Sequence, residues 1–129
     1  SRAVGAYADL PLVRRAMVEA QQRLGAAGGV VAEGRDMASV VFPEAELKIC
    51  LVADLEERVR RRFGELQAKG VDICLEQVRA DIRQRDQEDL ERDYGASGPP
   101  AGVLEVDTTA MSIEEQVTHL AALARQRGA

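Results

Sequence analysis

Ten residues, Gly34-Arg35-Asp36-Met37-Ala38-Ser39-Val40-Val41-Phe42-Pro43, place a guanidinium and a carboxylate side by side. A guanidinium offers a planar fork of N–H donors that matches phosphate oxygens, and an adjacent carboxylate accepts from an amine or a hydroxyl. The pair therefore fits a ligand that is phosphorylated and also carries donors. The stretch lies between two apolar runs, Val30-Val31-Ala32 and Leu47-Lys48-Ile49-Cys50-Leu51-Val52. Each run is short and continuous, the pattern of a strand buried on both faces. Arg35 and Asp36 then follow the end of the first strand, and open α/β sheets bind ligands outside the carboxyl ends of their strands.

Two more arginine groups have helical spacing. Arg58, Arg61 and Arg62 stand at i, i+3 and i+4 and share one helix face. Their residues leave two readings open: a solvated face relieved by Glu57 and Glu65, or a row that closes on a polyphosphate. Cations this near a helix start oppose the helix dipole, which the first reading does not account for. Arg85, Asp89 and Arg92 stand at i, i+4 and i+7. They read either as an intrahelical ion-pair ladder or as a carboxylate for sugar hydroxyls between two phosphate-reaching arginines.

Other chemistries find no support. His119 is the single histidine, off the apolar stripe of its helix, and reads as a surface residue. Cys50 and Cys74 have no metal-binding spacing; Cys50 reads as a small hydrophobe within a strand and Cys74 as the start of a helix. No Ser-His-Asp set and no H-E-x-x-H occurs, so no metal site is expected. The 129 residues contain no G-x-x-x-x-G-K-[ST] phosphate loop, and Gly25 to Gly29 lacks the Lys-Ser/Thr that would follow one.

These residues need elements to hold them. A length of 129 residues with 46% hydrophobic and 30% charged residues suits one globular domain. A net charge of −5 argues against general nucleic-acid binding. No apolar run is long enough to span a bilayer and no secretory leader is seen; the two lone thiols, Cys50 and Cys74, lead to the expectation of a reducing, cytoplasmic setting. The pattern predicts helix, strand, strand, helix, helix, strand, helix.

The first helix is expected over Leu10 to Leu24, burying Val13, Met17, Ala20 and Leu24 and ending at Gly25 through a positive φ. Asp54, with Glu57 three residues on, caps the second, whose buried stripe is Leu55, Val59, Phe63 and Leu66, with Gly70 as its stop. Asp72 opens the third, with Leu75, Val78 and Ile82 inward. Val103 to Val106 is the last strand. Ser112 and Glu115 form a capping box for the last helix, which buries Ile113, Val117, Leu120 and Ala124. Strands separated by helices pair in parallel, and three strands are few for such a sheet, so the chain reads as part of a larger one. Its open edge makes self-association a partner expectation.

In order along the chain, the motifs resemble those of bacterial cytidylate (CMP/dCMP) kinases. Gly34 to Pro43 resembles that family's G-R-D-[IM]-G-T-V-V-F-P, and Leu47-Lys48-Ile49-Cys50-Leu51 its V/L-K-I-F-L strand. Glu56-Glu57-Arg58 with Arg61-Arg62 resembles the E-E-R-x-x-R-R lid helix. Arg85-Asp86-x-x-Asp89-x-x-Arg92, Asp107-Thr108-Thr109 with Ser112-Ile113-Glu114-Glu115, and Pro11-Leu12-Val13-Arg14 match three further family segments. Ala38 and Ser39 stand where the family has Gly-Thr. The base-reading Ser of the family falls near Gly5 by ungapped spacing and is left out of the site.

The resemblance implies an α/β fold: part of a P-loop nucleoside-monophosphate-kinase parallel sheet flanked by helices, without the N-terminal strand and phosphate loop. It divides residues 1–129 into the end of the monophosphate-binding region (about 1–28), the core (29–54 and 103–129) and the lid with its following helix (about 55–93). It implies transfer of the ATP γ-phosphoryl group to CMP or dCMP. Arg35, Arg58, Arg61 and Arg62 become the catalytic set. Arg14, Arg35, Asp36, Arg85, Asp89 and Arg92 become the CMP site. Arg35 reaches the phosphate, Arg14 and Asp36 the base, and Asp89 the ribose. ATP and Mg²⁺ belong to the full-length family, and neither is expected to bind tightly to this chain alone. CMP or dCMP, ATP and the missing N-terminal portion are the implied partners, with no nucleic acid and no membrane. Without the phosphate loop the isolated chain is expected to be inactive. The alternative is a non-catalytic nucleotide-binding or interaction module derived from such a kinase.

Overall fold

The computed structural model of the chain describes residues 10–91 and 102–128. Two compact units meet in sequence between Glu46 and Leu47.

In the first unit, α1 runs over Pro11–Gly25. Proline at its first position costs nothing, because the N–H it lacks would have no helical acceptor there. The helix packs with a π-helical turn, Met37–Val41. That turn closes through Val41 N–H to Asp36 O at 3.1 Å and Phe42 N–H to Met37 O at 2.7 Å. Val41 is fully buried, and its carbonyl accepts from Gln22 Nε2 of α1 at 3.1 Å.

Three expectations for this region are corrected. Val30 to Ala32 is not a strand; Val31 is fully exposed, and residues 30–32 make no backbone hydrogen bond among the described residues. An apolar run becomes a strand only where another strand answers its N–H and C=O groups, and none here does. Next, of the stripe Val13, Met17, Ala20 and Leu24, Ala20 is half-buried but the other three are exposed, Leu24 at 78%, while Arg14, Val18, Gln21 and Gly25 are half-buried. The packed face is the one the π-turn covers, not the most apolar one. Finally, Gly25 is the last helical residue and positive φ comes later, at Gly28 (73°) and Gly29 (67°). Gly25 answers a close approach instead: a Cβ there would lie 2.5 Å from Phe42 Cε1.

The second unit is β1 (Ile49–Val52), α2 (Leu55–Ala68), α3 (Leu75–Glu91), β2 (Leu104–Asp107) and α4 (Ile113–Gln126). The two strands pair in parallel, Ile49 opposite Leu104 through Val52 opposite Asp107. The parallel pairing follows from the crossover through α2 and α3, and the result is a partial α/β domain. Val59 and Val78 are fully buried on the two packed helices, and Val106 is buried on β2. Leu51 and Leu104, on one sheet face, remain exposed.

Local signals in this unit are mostly where the sequence puts them. Asp54 Oδ1 caps α2 by accepting from Glu57 N–H at 2.7 Å. The expected stripe of Leu55, Val59, Phe63 and Leu66 is half-buried to buried. Gly70 (φ 70°) closes a Schellman motif, with Val71 N–H on Leu66 O at 3.0 Å and Gly70 N–H on Gln67 O at 2.9 Å. Ser112 and Glu115 form the complete capping box of α4. Two differences stand out. α3 starts at Leu75, so Asp72 lies outside it, and Leu75, expected inward, is exposed at the helix start while Val78 is buried and Ile82 half-buried. On α4 the expected Ile113 and Val117 are exposed, while Gln116, Leu120, Leu123 and Ala124 face partly inward.

Candidate functional site

The first site is built on the first unit. Arg14, in the second turn of α1, gives Nη2–H to Asp36 Oδ2 at 3.0 Å across 22 residues of sequence. The π-turn sets the Asp36 backbone: its carbonyl accepts from Val40 N–H at 2.8 Å and from Val41 N–H at 3.1 Å. Single π-turns recur at functional sites because the wider ring re-aims the residue that starts it. Ala38 and Ser39 lie inside this turn, whose helical backbone suits alanine as well as glycine. Arg14 and Asp36 are about a third and a fifth exposed, open enough to meet a ligand. Among the described residues Asp36 accepts from Arg14 through Oδ2, which leaves Oδ1 as an acceptor for a ligand. Arg35 is exposed beside it.

The second set lies on α2, α3 and the turn after β2. Sequence spacing puts Arg58, Arg61 and Arg62 on one face, but the structure gives each a different partner. Arg58 makes a fork to Asp86 of α3, Nη1 to Oδ1 and Nη2 to Oδ2, each 2.8 Å, and its Nε donates to Ala53 O at 3.1 Å. The Asp86 hydrogen bond raises the Arg58 pKa, opposed in part by desolvation. Arg61 donates from Nη1 to Thr108 Oγ1 at 3.1 Å, from Nη2 to Thr108 O at 2.5 Å, and from Nε to Glu57 Oε1 at 2.7 Å. Arg62 only pairs with Glu65, at 2.9 Å on the surface.

Glu57 anchors this region electrostatically. It accepts from Arg60 and Arg61, and those bonds, Arg60 first, hold its carboxyl down at about 2 against a usual 4.5. Thr108 is buried beyond the carboxyl end of β2. Its hydroxyl donates to Val52 O at 3.0 Å while accepting from Arg61, which ties both strand ends to α2. The neighbouring Thr109 Oγ1 accepts from Asp54 N–H at 2.9 Å and donates to Asp107 Oδ1 at 2.6 Å.

On α3, Arg85 is exposed and Asp89 half-buried on the same stripe, while Arg92 lies outside the described residues. Arg14 and Asp36 are thus brought into contact; Arg58, Arg61 and Arg62 are separated by their partners. Sequence reasoning missed Asp86 as the partner of Arg58, and Thr108 as that of Arg61. Their separations of 28 and 47 residues carry no periodic signal. Among the described residues no group of His, Cys, Asp and Glu could hold a metal ion. None of their helices is long and apolar enough to cross a membrane.

Residues 1–126 match the family model described as Cytidylate kinase. The chain is 47% identical over 125 residues to the bifunctional pantoate ligase/cytidylate kinase of Synechococcus elongatus, covering 97% of this chain and 24% of that protein. It is 43% identical over 128 residues to the cytidylate kinase of Chloroherpeton thalassium, covering 96% of this chain and 54% of that one. For the cytidylate kinase of Enterococcus faecalis the values are 41% over 128 residues, with 99% and 57% covered. The chain spans about half the length of the cytidylate kinases it matches, in their C-terminal half.

Proposed function

This chain belongs to the cytidylate kinase family, and on that premise we propose that it carries the base-reading pair and the lid of a phosphotransferase that makes CDP or dCDP from CMP or dCMP. An oxygen of the CMP phosphate attacks the γ-phosphorus of ATP in line, the bond to the β-phosphate oxygen breaks, and ADP leaves. Such a transfer asks for positioning and charge neutralisation rather than a covalent intermediate. Arginine is the apt residue, being always charged and planar.

The observation that carries this reading is the Arg14–Asp36 pair. A cytosine edge presents an exocyclic amine beside ring acceptors. A carboxylate accepting the amine next to a guanidinium donating to the ring is its complement. A uracil edge offers a carbonyl where cytosine has the amine, and it would meet the carboxylate unfavourably. By resemblance to the family, Arg35 is assigned to the CMP phosphate and Asp89 to the ribose hydroxyls with Arg85 beside it; Arg92, outside the described residues, is assigned to phosphate or base, and residues 55–93 to the lid and its following helix. Arg58 and Arg62 are the lid arginines nearest to release, since Arg61 is tied to Thr108. Mg²⁺, bound with ATP, neutralises the β- and γ-phosphate oxygens in such reactions. Among the described residues no group of His, Cys, Asp and Glu could hold it.

The 129 residues include no G-x-x-x-x-G-K-[ST] loop to cradle ATP, so this chain alone is expected to bind CMP without turnover. Calorimetric titration of CMP, with AMP as control, tests the reading. Saturable binding of CMP and not of AMP supports it. Heat from neither nucleotide refutes a preformed half-site, and CMP-dependent ADP formation by the 129-residue chain would refute its incompetence.

A further inference from the structure

The Arg58–Asp86 fork suggests more than a brace between α2 and α3. Arg58 presents Nη1 and Nη2 to the two oxygens of Asp86 at 2.8 Å each, and its Nε to Ala53 O. That double-N–H edge is the one with which a guanidinium grips a phosphate. The carboxylate therefore occupies the donors that a polyphosphate would need. Both side chains are about four-tenths exposed, so water already competes for the pair. A bidentate fork is stronger than a single surface pair, yet with both groups this open an incoming anion can compete for the guanidinium. Arg58 also stands in the first turns of α2, beside the positive end of the helix dipole, where a bound anion is favoured and a lone cation is not.

Resting on the reading of α2 as a lid over ATP phosphates, we propose that Asp86 is a positioning residue that latches Arg58, and that an incoming polyphosphate replaces its carboxylate. Asp86 follows Arg85 and lies three residues before Asp89 on α3. Releasing the latch removes one tie between α2 and the helix that carries the proposed ribose contacts, while buried Val59 and Val78 and the Arg79–Glu56 fork keep the helices packed. Filling of the donor side is thereby coupled to the acceptor side. The remaining fork between the helices, Arg79 to Glu56 at 3.0 and 2.7 Å, serves as an internal comparison because Glu56 is more exposed and lies away from Arg58's donors.

The test is calorimetric titration of inorganic tripolyphosphate into the 129-residue chain and its variants. Asp86→Asn removes the competing charge and should tighten tripolyphosphate about fivefold. Glu56→Gln makes the same change in net charge and should leave the affinity within about twofold, since its partner Arg79 keeps Glu76. Adding Arg58→Ala to Asp86→Asn should erase the gain. Equal tightening in the Asp86 and Glu56 variants would reduce the effect to bulk charge and overturn the proposal. So would no gain in Asp86→Asn, a gain that survives Arg58→Ala, or no tripolyphosphate binding by any variant.

If Asp86→Asn does not fold, side-chain ¹⁵N spectra of the unmodified chain decide. Tripolyphosphate should shift the Arg58 guanidinium signals and leave those of Arg79 in place; an unmoved Arg58 overturns the latch. CMP titrations on the same samples separate the two ideas. CMP binding without the tripolyphosphate gain sinks the latch alone, and the gain without CMP binding sinks the cytidine reading alone.

Discussion

Arg61 and Arg62 are neighbours in sequence, and replacing each by alanine should have unequal consequences. Arg61 is tied by four charge-assisted bonds, two to Thr108, one to Glu57 and a long one from Nη2 to Met111 O at 3.4 Å. Its side chain is 30% exposed and Thr108 is buried, so water replaces these bonds poorly. Arg61→Ala leaves the Thr108 carbonyl without its guanidinium donor at the carboxyl end of the sheet. The Thr108 hydroxyl keeps Val52 O, and Met111 O keeps Gln116 Nε2, so only part of the network is lost. At about 1 kcal/mol for each Thr108 bond and less for the Glu57 bond, since that carboxylate keeps Arg60, the expected loss is about 2 kcal/mol.

Arg62 makes one surface pair with Glu65, so Arg62→Ala should cost at most about 0.5 kcal/mol. Arg61→Lys keeps the charge but cannot span Glu57, Thr108 Oγ1 and Thr108 O at once, and should recover less than half of the loss. Urea unfolding followed by circular dichroism measures all three. With a slope of about 1.5–2 kcal/mol/M, Arg61→Ala should lower the midpoint by about 1 M and Arg62→Ala by about 0.3 M or less. Midpoints that fall together would refute the strut role of Arg61 and return it to the group of arginines available to a ligand.

Three other outcomes follow from the structure. Asp36→Asn removes the carboxylate proposed to accept the cytosine amine and should weaken CMP about 10–100-fold while narrowing the gap to UMP; an unchanged CMP-to-UMP ratio by calorimetry would count against base reading by this pair. The Glu57 carboxyl is held at about 2 against 4.5, and Glu56, Asp107 and Glu115 are lowered too. Depressed carboxylates contribute stability above their unfolded pKa and lose it as pH falls through the folded one, so stability should decline from about pH 4.5 down to about 2. Glu57→Gln should flatten that limb in acid titrations of the unfolding midpoint. Gly70→Ala forces a side chain to φ 70° in the Schellman turn and should cost about 1 kcal/mol by thermal unfolding, whereas an unchanged midpoint would show that the turn relaxes freely.

Short-range information in this chain was legible because it depends on neighbours in sequence. Asp54 and Ser112 cap helices by reaching three residues ahead, and Gly70 ends one through its own φ. The repeat of Leu55, Val59, Phe63 and Leu66 marks the packed face of α2 because period and burial coincide there. Helices between strands implied the parallel pairing of Ile49–Val52 with Leu104–Asp107, and the ordered motifs pointed to the cytidylate kinase family.

Burial and partner choice required the tertiary structure. Val30 to Ala32 has the composition of a strand, yet a strand exists only where a second backbone pairs with it. Val13, Met17, Leu24, Ile113 and Val117 are apolar at helical spacing and exposed, because periodicity marks a face without saying what covers it. Arg58, Arg61 and Arg62 share spacing and chemistry in the sequence. Asp86, Thr108 and Glu65 give them three different positions, since a guanidinium follows the acceptors that folding brings within reach, and only Glu65 of the three is a near neighbour in sequence.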